Sequence, residues 1–102
     1  MALLDSPATG LVSGSKAVTT AGTAVQISAT ATGIRWLLLT ADPANTKPVY
    51  VGDSGVDATL GSEIGVPLSK TAPLRLDVSD LSDVWIDAEA SGEGVLFVYG
   101  AV

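Results

Sequence analysis

From Lys16 onward the chain alternates apolar and polar residues with period two, and turn-forming residues interrupt the alternation at roughly eight- to twelve-residue intervals. No long segment carries the 3.6-residue apolar period and the capping residues that a helix needs. The rhythm predicts an all-β domain with strands over 15–19, 24–28, 34–41, 48–52, 73–78, 83–88 and 94–100. The run "IRWLLLTA" (34–41) is almost continuously apolar, as expected of a central strand covered on both faces. After it, "DPANTK" reads as a turn: Asp42 can accept from its own backbone, Pro43 presets φ, and Asn45 tolerates the left-handed region. The stretch from Asp53 to Lys70 is long for a hairpin loop and leaves room for a short edge strand near 65–68. Residues 1–14, small, polar and punctuated by Pro7, Gly10 and Gly14, read as an N-terminal arm outside a domain of residues 15–102.

In "VWIDA" (84–88) the alternation puts Val84, Ile86 and Ala88 on one face and Trp85 and Asp87 on the other. The neighbouring run places Leu74, Leu76 and Val78 opposite the first set, with Arg75 and Asp77 beside Trp85 and Asp87. Two readings of Trp85 stay open: part of a core-against-solvent pattern, or an anchor between subunits, where aromatic side chains dominate interface energetics.

Composition adds a constraint on how such a domain is stabilised. The chain has 102 residues, 47% of them hydrophobic, and no cysteine or histidine; its mean hydropathy is +0.45. A domain this small buries little apolar area by itself. Disulfides and a histidine- or cysteine-held zinc are both excluded. Contact with other chains is the remaining way to cover apolar surface, so the expectation is an oligomer or a subunit of an assembly. No apolar run is long enough to cross a bilayer as a helix, and "MALLDSPATG" has neither the basic region nor the apolar core of a secretory signal. The net charge is −6 and unevenly placed: residues 53–102 hold nine acids and two bases, residues 1–52 two acids and three bases. Five basic side chains without a cluster argue against nucleic acid as a partner. The acidic half is either a solvated face or a contact for a basic partner.

The tetrapeptide Gly52-Asp53-Ser54-Gly55 spells the surroundings of a trypsin-like nucleophile. A serine needs a base to take its proton, and that base is usually histidine. Val56 stands where the second glycine of a G-x-S-x-G elbow belongs, and nothing in the spacing supports a dyad with Lys47 or Lys70. The stretch "VYVGDSGV" (49–56) is read as a glycine-shaped turn that ends a strand. Asp77, Asp80 and Asp83 recur every third residue, and Asp53 with Asp57 brackets a loop, but neither set fits a calcium loop; turn chemistry explains both. "SGSK" (13–16) lacks the first glycine of a phosphate loop. The expectation is no catalytic residue, no cofactor and no metal.

The segments "TTAGTAVQIS" (19–28), "DPANTKPVYVGDSGV" (42–56) and "LRLDVSDLSDVWIDAEASGEGVLFVYG" (74–100) resemble a recurring pattern in small virion proteins of tailed bacteriophages. The likeness spans nearly all of the chain after the arm, and "VYVGDS" with the downstream Leu-Asp-Val and Ile-Asp-Ala motifs is its most specific part. Proteins of this kind include capsid cement or decoration proteins and head fibres. The resemblance implies a small antiparallel β-sandwich, jelly-roll-like, commonly a homotrimer, with the major capsid protein as partner and neither nucleic acid nor membrane bound. It places the protein on the capsid surface of the virion, and in the host cytoplasm during assembly. The alternatives it leaves are another virion subunit (head-fibre base, tail or baseplate) and a carbohydrate-binding module stacking on Trp36, Tyr50, Trp85 or Tyr99. Candidate interface residues are Leu3, Leu4 and Leu11 of the arm together with Trp36 and Trp85.

Overall fold

The computed structural model describes residues 8–102. Eight strands follow in chain order: β1 (Gly10–Ala17), β2 (Val25–Gln26), β3 (Ile34–Ala41), β4 (Val49–Gly52), β5 (Val66–Pro67), β6 (Leu74–Leu76), β7 (Trp85–Ala88) and β8 (Gly94–Ala101). They form two antiparallel sheets, a first of order β1-β8-β3-β6 and a second of order β2-β7-β4-β5. The strand pairs β1·β8, β2·β7, β3·β6 and β4·β5 show a chain folded back on itself about the β4–β5 loop. Two further pairings, β3·β8 and β4·β7, close each half into a four-stranded sheet.

The apolar set of each sheet meets in one core. Leu37 and Leu39 of β3 and Val95 of β8 face Val49 and Val51 of β4 and Ile86 and Ala88 of β7, all buried. Strand alternation delivers these side chains to one face, with one exception that the sequence does not announce. A register shift between Ile34 and Trp36 leaves Arg35 as an extra residue. Ile34 and Leu37, three apart, therefore both reach the core, while Trp36 turns outward. The run expected to be covered on both faces is covered on one: Trp36, Leu38 and Thr40 on its other side are only half-buried.

Several expectations are revised. Strand β6 pairs with β3 and β7 pairs with β2 and β4, so the 74–78 and 83–88 segments lie in different sheets rather than side by side. The chain crosses between the sheets through a single 3-10 turn, Leu81–Asp83, capped by Asp80, whose side chain accepts from the Ser82 N–H. Arg75 and Asp77 pair with each other at 3.0 Å, and Asp87, though on the outer face expected for it, is fully buried rather than in solvent. Residues 10–14, assigned to the arm, are the first five of β1 and pair with β8 along their whole length. The rest of the expected arm up to Pro7 lies outside the described residues. Asn45 has no left-handed backbone, since the only positive φ angles among the described residues are at glycines. Its buried amide instead brackets Gly94, donating to the Gly94 carbonyl at 2.7 Å and accepting from the Gly94 N–H at 2.9 Å.

The glycines of the β4–β5 loop differ in what they do. Gly52 and Gly55 have ordinary φ, whereas Gly65 stands at φ +119° with a hypothetical Cβ only 2.6 Å from the Val51 carbonyl oxygen. Gly65→Ala should therefore lower stability by about 1–3 kcal/mol through backbone strain and close contact. Gly55→Ala, which meets only the Asp53 carboxyl oxygen at 3.3 Å, should stay within about 0.5 kcal/mol. Thermal melts of the two variants beside the parent check the contrast, and equal melting temperatures would refute it.

Candidate functional site

Strand β4 delivers the "VYVGDSGV" stretch to a tight turn just past Gly52. The Asp53 side chain accepts from the Gly55 N–H at 2.9 Å and its carbonyl from the Val56 N–H at 3.0 Å, the self-bonded Asp turn that such residues favour. Ser54 is exposed at the tip. Of the two lysines weighed against it, Lys70 donates its ammonium to the Asn45 carbonyl, and Lys47 lies in the loop before β4. The structure brings neither to the serine.

Past the turn, the loop folds back over the outer face of the second sheet, and a residue that the alternation pattern assigns to solvent holds it there. Asp87 points out of β7, away from the core. One carboxyl oxygen accepts from the Gly22 N–H at 3.0 Å and the Ala88 N–H at 2.9 Å, the other from the Ala58 N–H at 2.9 Å. The turn before β2, the β4–β5 loop and β7 thus converge on one side chain. Val56 and Ala58 are buried beneath the loop, and Val56 packs 3.3 Å from where a Gly52 Cβ would lie. This packing accounts for a glycine at position 52 without any special backbone angle. A hairpin-like pair of bonds between Asp57 and Ile64 closes the loop. Only the strand pattern of "WIDA" is visible in sequence; the partners of Asp87 are 65 and 29 residues away.

Asp80 and Asp57 serve local structure. Asp80 accepts from the Thr32 N–H at 3.0 Å, from the Ser82 N–H at 2.9 Å and from the Ser82 hydroxyl at 2.8 Å. The Thr32 bond first, then the two from Ser82, hold its carboxyl below the ordinary value of 3.8. Asp57 is lowered likewise, chiefly by the Thr59 hydroxyl and then by the Thr59 N–H. Among the described residues, no three Asp or Glu side chains gather as metal ligands would.

The interface candidates separate. Leu11 and Trp36 lie on the same outer face of the first sheet, each directly across from Gly100 of β8. Leu11 is 70% exposed, and Trp36 lies under the Arg75 guanidinium, 5.7 Å from its ring centroid. Trp85 is on the outer face of the second sheet, opposite Gln26 and Gly52 and half-buried. Leu3 and Leu4 fall outside the described residues. The aromatic residues weighed for sugar stacking do not form one platform: Trp36 is outside the first sheet, Tyr50 and Trp85 outside the second, and Tyr99 packs inward against Phe97 at 6.3 Å.

This region presents a mainly apolar surface. Leu11, Trp36, Leu38, Leu96 and Val98 share the outer face of the first sheet, and a furrow of about 330 Å³ runs between Leu38, Thr40, Pro73, Leu96 and Val98. None of the four strands of this sheet contains an Asp or Glu, and they hold Lys16, Arg35 and Arg75. Comparison with known proteins finds no matching family model, no matching curated protein and no matching solved structure.

Removing the Asp87 carboxyl leaves buried N–H groups without acceptors, each costing about 1–3 kcal/mol. Asp87→Ala should thus destabilise by roughly 3 kcal/mol or more, while Ser54→Ala stays within about 0.5 kcal/mol. Urea unfolding of both variants measures the difference, and an Asp87→Ala protein as stable as the parent would show that this side chain is no clamp.

A second expectation concerns acid. Because folding lowers the Asp80 pKa, its contribution is present above the ordinary value of 3.8 and is lost as pH falls through the lower folded value. The melting temperature should drop on acidification from about pH 5 to about pH 3, and less steeply in Asp80→Asn. Parallel slopes for the two proteins would contradict this.

Proposed function

We propose that the chain is a structural subunit of a tailed-bacteriophage virion, a cement or decoration protein that binds the outer capsid surface and strengthens the shell. The observation that carries the reading is the combination of a loop-covered outer face on one sheet with a largely apolar outer face on the other, where Leu11 and Leu96 stay exposed. A small domain built that way is made to be completed by neighbours. The strand order supports the jelly-roll form of the sandwich: two four-stranded sheets whose strands pair first with last, second with seventh and so inward suit a long hairpin rolled over itself. No residue acts as a catalyst, and no cofactor or metal takes part. The partners are the major capsid protein and further copies of this chain, assembled as a homotrimer. A cement protein works by summing many modest contacts across subunits that would otherwise separate. The protein resides on the virion, after assembly in the host cytoplasm.

Because residues 10–14 belong to strand β1, the part of the expected arm whose removal spares every described residue is 1–7. Deleting 1–7 should leave the β-type circular dichroism and the melting temperature essentially unchanged while abolishing co-sedimentation with capsids lacking the protein. Deleting 1–14 should also destabilise the domain, because it removes the larger part of β1. Capsid binding that survives loss of 1–7 would show that attachment lies elsewhere, and no binding by the full chain would overturn the cement reading.

A further inference from the structure

Each sheet ends in two edge strands, β1 and β6 in the first and β2 and β5 in the second. An edge strand carries a row of backbone N–H and C=O groups that another extended chain can pair with. Folded proteins keep such edges short or guard them with proline and charge. Three of the four edges are guarded in this way. Strand β2 has two residues, β5 has two and includes Pro67, and β6 has three, follows Pro73 and carries Arg75. Strand β1 is different, with eight residues, no proline, no acid and one lysine near its end.

The ladder fixes which backbone groups of β1 face outward. The Asp42 N–H donates to the Gly94 carbonyl, so the even-numbered residues of β8 turn their backbone groups to β3 and the odd-numbered ones to β1. On the β1 side the Val18 N–H donates to the Glu93 carbonyl, in the same alternation. The β1 partners of the odd-numbered β8 residues are Gly10, Val12, Gly14 and Lys16. Leu11, Ser13, Ser15 and Ala17 therefore aim their N–H and C=O groups out of the sheet, and no strand or turn among the described residues meets them. The chain enters β1 from above β8, where the Ala8 side chain lies 2.7 Å from the place of a Gly100 Cβ, and not along this outward edge.

What fits the edge is the same edge of a second copy. A two-fold axis at Gly14 sets β1 antiparallel to itself, with Leu11 opposite Ala17 and Ser13 opposite Ser15. All four outward residues of each strand then meet outward residues of the other. The two- and three-residue edges of the chain offer no such self-complementary match. In this register Gly14 faces Gly14, so the closest pair holds no side chains. Lys16 faces Val12, and the two lysines stand about 13 Å apart along the strands. No acid lies in β1 to oppose another, which matters in a chain of net charge −6.

We propose that copies of this chain associate in pairs through β1, antiparallel and in this register, joining two first sheets into one of eight strands. The pairing goes beyond the functional reading: added to a threefold contact it makes a hexamer, and alone it makes a dimer.

Light scattering coupled to size exclusion should give the parent an even multiple of 10.2 kDa. Ser13→Pro and Ser15→Pro each remove an N–H that points out of the sheet and spare the β1–β8 ladder. Each should halve the mass with an unchanged β-type spectrum. A parent that is a monomer or a trimer, or a folded proline variant that keeps the parental mass, would overturn the pairing. Crosslinking gives a second measurement that does not depend on proline being tolerated. When Ser13→Cys and Ser15→Cys chains are refolded together and oxidised, the facing Cα atoms lie about 5.5 Å apart, within disulfide reach. A disulfide-linked dimer should form in the mixture and not from either variant alone. An uncrosslinked mixture, or a crosslink as strong in one variant by itself, would refute the register. Pairing that appears only once residues 1–7 are removed would show that this segment holds the edge, and would equally refute the proposal. Co-sedimentation with capsids reports on the cement reading separately. A chain that pairs through β1 yet ignores capsids sinks that reading alone, and a trimer that binds capsids sinks the pairing alone.

Discussion

The carboxyl group of Asp87 decides how the two halves of this chain lie. A buried backbone N–H without a partner is costly, and the second sheet is too small to cover its own outer face with strands. Strand β2 has two residues and β5 two. The solution is to bring the 20–22 turn and the β4–β5 loop over β7 and let one side chain accept from Gly22 and Ala58 as well as from Ala88. With the loop held there, Val56 and Ala58 add a second apolar layer outside the sheet. A small domain without disulfides thereby buries more surface than two layers would. Asn45 plays the same part at the other end of the core, tying the loop before β4 to Gly94 at the start of β8. Two buried polar side chains replace the covalent staples that a chain of this size often needs.

Much of the strand inventory is legible in sequence because alternation is a local property. Strand β3 occupies the expected residues 34–41, and the short edge strand appears as β5 inside the expected 65–68 window. Pairing is less legible. The motif "LRLDVSDLSDVWIDA" reads as a hairpin because two alternating runs flank a polar turn, yet the Leu81–Asp83 3-10 turn, closed by Asp80, sends the chain across to the other sheet. Period-two logic assigns faces but not sheets. It also fails wherever a loop covers the polar face, which is why it places Asp87 in solvent. The bulge at Arg35 is a further limit: one extra residue exchanges the faces of all later residues in the strand, and an almost continuous apolar run gives no sign of where it falls.

The candidate contact residues are half legible for a related reason. Leu11 and Trp36 stand out as large apolar side chains in unrelated segments, and pairing through β8 places both on one surface. Leu38, Leu96 and Val98 do not stand out because, on a central strand, such residues are expected to be covered by the chain itself. The inner end of the arm is misleading in sequence, since Gly10 and Gly14 look like loop punctuation. Gly14 is instead a strand residue that leaves room for Phe97, whose ring would lie 2.7 Å from a Cβ at that position. Glycine in a strand often marks such a close approach.

The same close approaches bear on how the first sheet presents itself. At Gly100 a Cβ would meet Trp36 Nε1 at 2.7 Å and the Ala8 side chain at the same distance. The indole therefore lies across β8 rather than standing up from it, because position 100 has no side chain to lift it. On this face the indole has Arg75 over its ring and Ala8 beside it at Gly100. A bulkier residue at 100 would have to displace Trp36 or Ala8. The glycine between Leu11 and Trp36 belongs as much to the shape of the outer face as to the sheet, and an alternation pattern that treats it as a missing side chain overlooks its part in shaping the surface.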